Sequence, residues 1–154
     1  MKYLLIVSAS ILLATCGLAQ NNQTPSAVTS SFNAKFPNAQ KVKWDKENAE
    51  EWEAEFKLNG SEYSANFKAD GSWLETEHKI KKSSIPGPVK AAVDKEFPGF
   101  KIDEAEQVET PEGTFYEFEI EKGKQEKEVL FDSNGKLLKS HDEEESDDEE
   151  KDDN

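Results

Sequence analysis

The chain carries one segment twice, and that duplication restricts its fold more than any other feature. Val28, Phe32, Phe36 and Pro37 recur as Val89, Val93, Phe97 and Pro98, an offset of 61 residues. After a three-residue insertion the offset becomes 64, so that Trp44 falls on Val108, Trp52 on Tyr116, Ala54 on Phe118 and Phe56 on Ile120. Ala65 then falls on Val129, Phe67 on Phe131 and Leu74 on Leu138, and the turn Asp70-Gly71 falls on Asn134-Gly135. Apolar residues meet apolar ones and turns meet turns, so one small unit is expected to be built twice. A single unit of about fifty-five residues buries too little surface to be more than marginally stable. The two copies are therefore expected to share a sheet or an interface.

Each copy opens with a helix. Val28, Phe32 and Phe36 recur at intervals of four, and Val89, Ala92, Val93 and Phe97 follow the same helical spacing behind Pro86 and Pro88, where helix starts tolerate proline. Pro37 and Pro98 end the helices, because proline disfavours helical backbone in the residue before it. Strands follow. Trp52, Ala54, Phe56 and Leu58 alternate with Glu51, Glu53, Glu55 and Lys57, the period-two pattern of a strand with one buried face. Asn59-Gly60 predicts a type I′ hairpin turn, and Tyr63, Ala65, Phe67 and Ala69 continue the alternation. With a less regular strand ahead of each hairpin, the expected fold class is α+β. It is a tandem repeat, over 26–80 and 84–140, of one helix and a four-stranded antiparallel sheet, with the helices on one sheet face. Trp44, Trp52 and Trp73 align with apolar residues of the second copy, which assigns them to core packing rather than to a ligand platform.

The ends have other roles. Lys2, an apolar run from Leu4 to Ala14 and the small residues before Gln20 have the layout of a secretory signal over 1–19, with an apolar stretch short for a membrane span. Two export routes fit: cleavage near Ala19, giving a periplasmic or secreted protein, or lipidation of Cys16, for which Thr15 is a poor preceding residue. Cys16 is the only cysteine, so the exported domain has no disulfide, zinc thiolates or thiol nucleophile. At the other end, 141–154 is an expected disordered tail; from Asp142 onward it holds ten acidic residues against Lys151, a net −9 of the chain's −14. So acidic a chain repels phosphate, which argues against nucleic acid as a partner.

The Lys-Glu-Phe-Pro-Gly segment of Lys95 to Gly99, the strand Thr114 to Ile120 and the segment Glu128 to Leu138 resemble the PepSY-like family of periplasmic proteins. The resemblance spans roughly Ser26 to Ser140. It implies the fold of the β-lactamase inhibitor protein, often in tandem, and brings no catalytic motif with it. The acidic tail departs from the family's common form. Fold likeness alone does not imply inhibition of a β-lactamase.

The residues themselves offer little chemistry. His78 and His141 are the only histidines, with no cysteine to complete a transition-metal site. His78 reads as a solvated strand residue. No serine has the glycine context of a nucleophile elbow, and no glycine-rich phosphate loop is present. No catalytic residue, metal ligand or cofactor is expected. What stands out is the sheet face opposite the helices, expected to carry Glu51, Glu53 and Glu55 from one copy and Glu117, Glu119 and Glu121 from the other, joined by Glu126 and Glu128. Like charges on neighbouring strands repel. The bland reading is a water-facing surface; the functional one is a docking face for a basic protein. The expected function is an exported, non-enzymatic binding module of the periplasm or cell envelope. The alternative is an envelope protein that binds divalent cations such as Ca²⁺ weakly, or buffers stress, through its tail and sheet carboxylates.

Overall fold

A computed structural model describes residues 23–142. The expected signal segment, Cys16 and the expected tail beyond Asp142 lie outside the described residues. Helix α1 (Ser26–Lys35) is followed by strands β1 (Gln40–Asp45), β2 (Glu51–Leu58), β3 (Ser61–Lys68) and β4 (Trp73–Lys79). A short 3-10 turn leads into α2 (Gly87–Glu96), then β5 (Lys101–Thr110), β6 (Gly113–Lys122), β7 (Gln125–Asp132) and β8 (Leu137–Asp142). All eight strands form one antiparallel sheet in the order of the chain. Strand β8 continues through His141 and Asp142, two residues past the expected start of the tail, because His141 pairs with Glu128 and Lys127 forms an ion pair with Asp142.

Residues paired across antiparallel strands point to the same face, so the register separates the two sides of the sheet. Trp52 pairs with Phe67, Ala54 with Ala65 and Phe56 with Tyr63, and these pack with Val28, Phe32 and Phe36 into one core. Tyr116 pairs with Phe131 and Phe118 with Val129, and these pack with Val89 and Val93 into a second core. The two cores lie on the same sheet face, since Ala65 pairs with Thr76, Thr76 with Glu109 and Glu109 with Thr114, in step with Tyr116 and Phe118. Phe67 and Phe131 are both fully buried. Phe32 sits edge-on to Trp44, Phe56 and Phe67 at centroid distances of 5.0 to 6.2 Å, the arrangement aromatic quadrupoles favour.

One expected equivalence is wrong. Trp44 pairs with Ala54 on the helix side, and the residue that pairs with Phe118 there is Ala105, not Val108. The offset of 61 therefore persists through β1 and β5, and the three-residue insertion falls in the following hairpin. Val108 lies on the other side of the pleat, opposite Glu77. The insertion has a structural consequence. Strand β1 ends at Asp45, whereas β5 runs on past the equivalent Glu106, and the added Gln107, Val108 and Glu109 supply three of its four register pairs with β4. The extension forms most of the seam that makes the sheet continuous.

The β3–β4 and β7–β8 turns fix the helices at the ends of these strands. Gly71 has φ +88° and Gly135 φ +83°, where a side chain is strained. A Cβ on Gly71 would also lie 2.7 Å from the Ala27 carbonyl oxygen of α1, and one on Gly135 would lie 2.7 Å from the Pro88 carbonyl oxygen of α2. Gly60, in the expected type I′ turn with Asn59 also at positive φ, faces open space. Gly71→Ala is thus expected to lower unfolding free energy by about 2 kcal/mol or more, and Gly60→Ala by only about 1 kcal/mol. Urea denaturation of both variants checks this; equal losses would show that the turn–helix contact contributes nothing.

Candidate functional site

The face without helices is a field of carboxylates. Alternation that sends Trp52, Ala54 and Phe56 to the core sends Glu51, Glu53 and Glu55 outward, and the same rule places Glu117, Glu119 and Glu121 outward on β6. On β7, Glu128 stands opposite Glu119 and Glu126 opposite Glu121. All eight glutamates expected from the sequence lie on this face. They form two groups, however, because β2 and β6 are four strand spacings apart, about 19 Å.

Residues the sequence reading passed over join those groups. Glu75 and Glu77 on β4 and Glu104 and Glu106 on β5 lie on the same face, with Glu106 directly opposite Glu117 and Glu104 opposite Glu119. The signal was present in the alternation of Glu75, Thr76 and Glu77, and of Glu104, Ala105 and Glu106. A shared sheet is one of two arrangements the sequence allows, and only the β4–β5 pairing puts these residues beside the other acids. Val108 and Leu130 also face this side, opposite Glu77 and Glu117, yet are only 5% and 6% exposed.

Crowding and burial change the acids' chemistry. Desolvation is the largest influence on Glu77, followed by the charges of Glu75, Glu117, Glu106 and Glu53, and its pKa is raised to about 8. Desolvation, then Glu128 and Glu106, raises Glu117 to about 7. Glu53 is raised to about 7 by desolvation and by hydrogen bonding and charge from Glu47. Glu75 and Glu106 are raised as well, by desolvation first. Few cations answer them. Lys79 pairs with Glu104, and Lys139 lies 3.7 Å from Glu128.

The first half of the sheet is differently balanced. Lys43 meets Glu55 at 3.4 Å and Lys57 meets Glu62 at 3.0 Å, and Ser64 and Asn66 stand opposite Glu55 and Glu53. Asp45 opposite Glu53 is the direct acid pair there, whereas the second half sets glutamate against glutamate in four direct pairs: 104 with 119, 106 with 117, 119 with 128 and 121 with 126. His78 is on the other face and is not simply solvated. Its ring stacks on Tyr63 at 4.5 Å, and burial lowers its pKa. Among the described residues, no three acidic, histidine or cysteine side chains are grouped to hold a metal ion, and no helix is long and apolar enough to cross a membrane.

An eight-stranded antiparallel sheet with two helices packed on it defines an α+β protein of the β-lactamase-inhibitor-like architecture. A family model described as "Putative beta-lactamase-inhibitor-like, PepSY-like" matches residues 50–139, and the chain belongs to this PepSY-like family. The match is shorter than the Ser26–Ser140 span of the sequence resemblance. Among solved structures, a BLIP-like protein from Bacteroides fragilis is 25% identical with a TM-score of 0.71, over 82% of this chain and 92% of its own. A structure from Bacteroides eggerthii described as "putative periplasmic proteins" is 20% identical with a TM-score of 0.70, over 78% of this chain and 89% of its own; it shares the fold. No curated protein matches.

Raised carboxyl pKa values fix how stability varies with pH. A glutamate whose folded pKa exceeds its unfolded value of 4.5 binds its proton more tightly in the folded state. Its stabilisation is complete below about pH 4.5 and is lost as pH rises through the folded value. Glu77, Glu117 and Glu53 place that loss between about pH 4.5 and 8. His78, with a lowered pKa, opposes it only below about pH 6.5. The unfolding free energy, read from the denaturation midpoint at fixed ionic strength, is therefore expected to fall from pH 5.5 to 8.5. A midpoint that rises over this range would contradict the burial of these carboxyls.

Proposed function

We propose that the protein is an exported, non-enzymatic docking module whose helix-free sheet face binds a basic protein in the periplasm or cell envelope. One observation carries the reading: the four direct glutamate–glutamate pairs of β5, β6 and β7, where the corresponding first-half pairs are Lys43–Glu55, Asp45–Glu53, Glu55–Ser64 and Lys57–Glu62, so that only one of those four sets acid against acid. Like charges set directly opposite destabilise a sheet, and a cationic partner would relieve that repulsion while being steered toward it. Membership of an inhibitor-like family supports protein binding over catalysis, and the neighbour described as periplasmic supports an envelope location. We also read the halves 26–80 and 84–140 as copies of one unit. Support comes from their identical element order and from the equal burial of Val28 with Val89, Phe67 with Phe131, and Trp52 with Tyr116. The second copy then carries the docking charge.

Charge-altering variants test the docking reading. Immobilised wild-type protein is expected to retain a basic envelope protein at low salt and release it by about 0.5 M salt, where screening acts within about 4 Å. Glu106→Lys combined with Glu117→Lys is expected to reduce retention at least tenfold, while Glu55→Lys together with Glu62→Lys reduces it far less. Equal retention by wild type and the Glu106/Glu117 variant would remove the face from the account.

A further inference from the structure

We propose that the carboxyl row crossing β4, β5 and β6 holds protons while the face is free and yields them to solvent when a basic protein lays lysine or arginine side chains across it. The inference rests on the docking reading above and adds its regulation: the partner binds by proton exchange, and so binds more tightly as pH rises.

The geometry sets the row apart from an ordinary acidic surface. Glu77 stands between Ser64 on β3 and Val108 on β5, and Glu117 between Glu106 on β5 and Leu130 on β7. Each thus has an apolar neighbour on one adjoining strand, while further carboxyls crowd it from the others. Around Glu77 these are Glu75 on its own strand, Glu53 on β2, Glu106 on β5 and Glu117 on β6. Around Glu117 they are Glu75, Glu106 and Glu128, with Lys139 of β8 the one cation that lowers its pKa. Lys79, which lowers the pKa of Glu106, is already paired with Glu104. His141 faces Glu128 from the outer strand. Two ionised carboxylates in such direct opposition repel in a partly desolvated setting, and one proton between them removes the repulsion.

An independent observation on the same face points to a missing donor. Asn66, 4% exposed, sits between Glu53 on β2 and Glu75 on β4. Its Nδ2 donates to Glu75 Oε1 at 3.2 Å, and its buried Oδ1 has no partner. An ionised carboxylate only accepts hydrogen bonds, so neither flanking glutamate can satisfy that oxygen while charged. A neutral carboxyl O–H can, so this buried oxygen favours a proton on a flanking carboxyl in the free protein. The raised pKa values of Glu53, Glu77 and Glu117 agree with this placement. Each exchange converts one carboxylic acid to a carboxylate and releases one proton to water, with no other bond made or broken.

An octalysine peptide and the whole chain test it by isothermal titration calorimetry. Runs in phosphate and in Tris, at one ionic strength, count the protons released on binding. At pH 7 we expect about one proton or more per peptide bound, and an affinity that rises about tenfold per pH unit for each proton released. Tail carboxylates also attract the peptide, so the sheet's share is read from a variant that keeps the tail. Glu77→Gln combined with Glu117→Gln, in the same whole chain, is expected to bind with less than half the release. An affinity unchanged from pH 6 to 8.5 would overturn the exchange and leave the docking reading standing. No binding at any pH would overturn both. Carbon-13 titration of the glutamate carboxyls in the free protein then tells whether the protons were held at all.

Discussion

The alternation that turns Trp52, Ala54 and Phe56 toward α1 turns Glu51, Glu53 and Glu55 away from it, and the rest of the structure follows from that one-sided burial. Phe67 meets Trp52, Phe131 meets Tyr116, and the two short helices supply Val28, Phe32, Val89 and Val93 to close the cores. Helices of ten residues are marginal alone in water, so their stability comes from this apolar contact. Both helices lie on one face, and the acidic face is left as the side on which neighbouring strands must tolerate one another's charge.

The halves manage that charge differently. In the first, lysine, serine or asparagine stands opposite most glutamates, and Asp45 opposite Glu53 is the one direct acid pair between β1, β2 and β3. In the second, glutamates face glutamates, and Val108 and Leu130 sit among them nearly dry. Both the hydrophobic neighbours and the like charges oppose ionisation, and that is why Glu77 and Glu117 behave as weak acids near neutral pH. The extension of β5 matters here as well. By joining β4 to β5 it brings Glu77 beside Glu106 and unites two separate acidic strips into one surface.

Much of this was legible in the sequence, for identifiable reasons. Period-two alternation in Glu51–Leu58 and Gly113–Lys122 fixes which side Glu51, Glu53, Glu55, Glu117, Glu119 and Glu121 take, and cross-strand pairing puts Glu126 and Glu128 on the same side. Local turn chemistry at Asn59-Gly60 was equally readable, since positive φ at both positions selects those residues. The seam was not. Nothing in Gln107-Val108-Glu109 announces a strand partner, because pairing with β4 depends on register across a helix and a turn. The misplacement of Val108 and the omission of Glu75, Glu77, Glu104 and Glu106 share that cause. His78 was misread for a related reason: its stack on Tyr63 is a cross-strand contact that flanking charges conceal.

The central claim is that glutamates 106 and 117 repel one another within the folded sheet while Lys43 and Glu55 do not. A double-mutant cycle on the first pair, with glutamine replacing each residue, measures that term directly by denaturation at pH 8.5 and low salt. The account predicts that Glu106→Gln alone stabilises the protein, by about 0.5–1 kcal/mol, and that the gain shrinks once Glu117 is also glutamine. A stability loss on replacing Glu106, or a gain independent of the residue at 117, would contradict it.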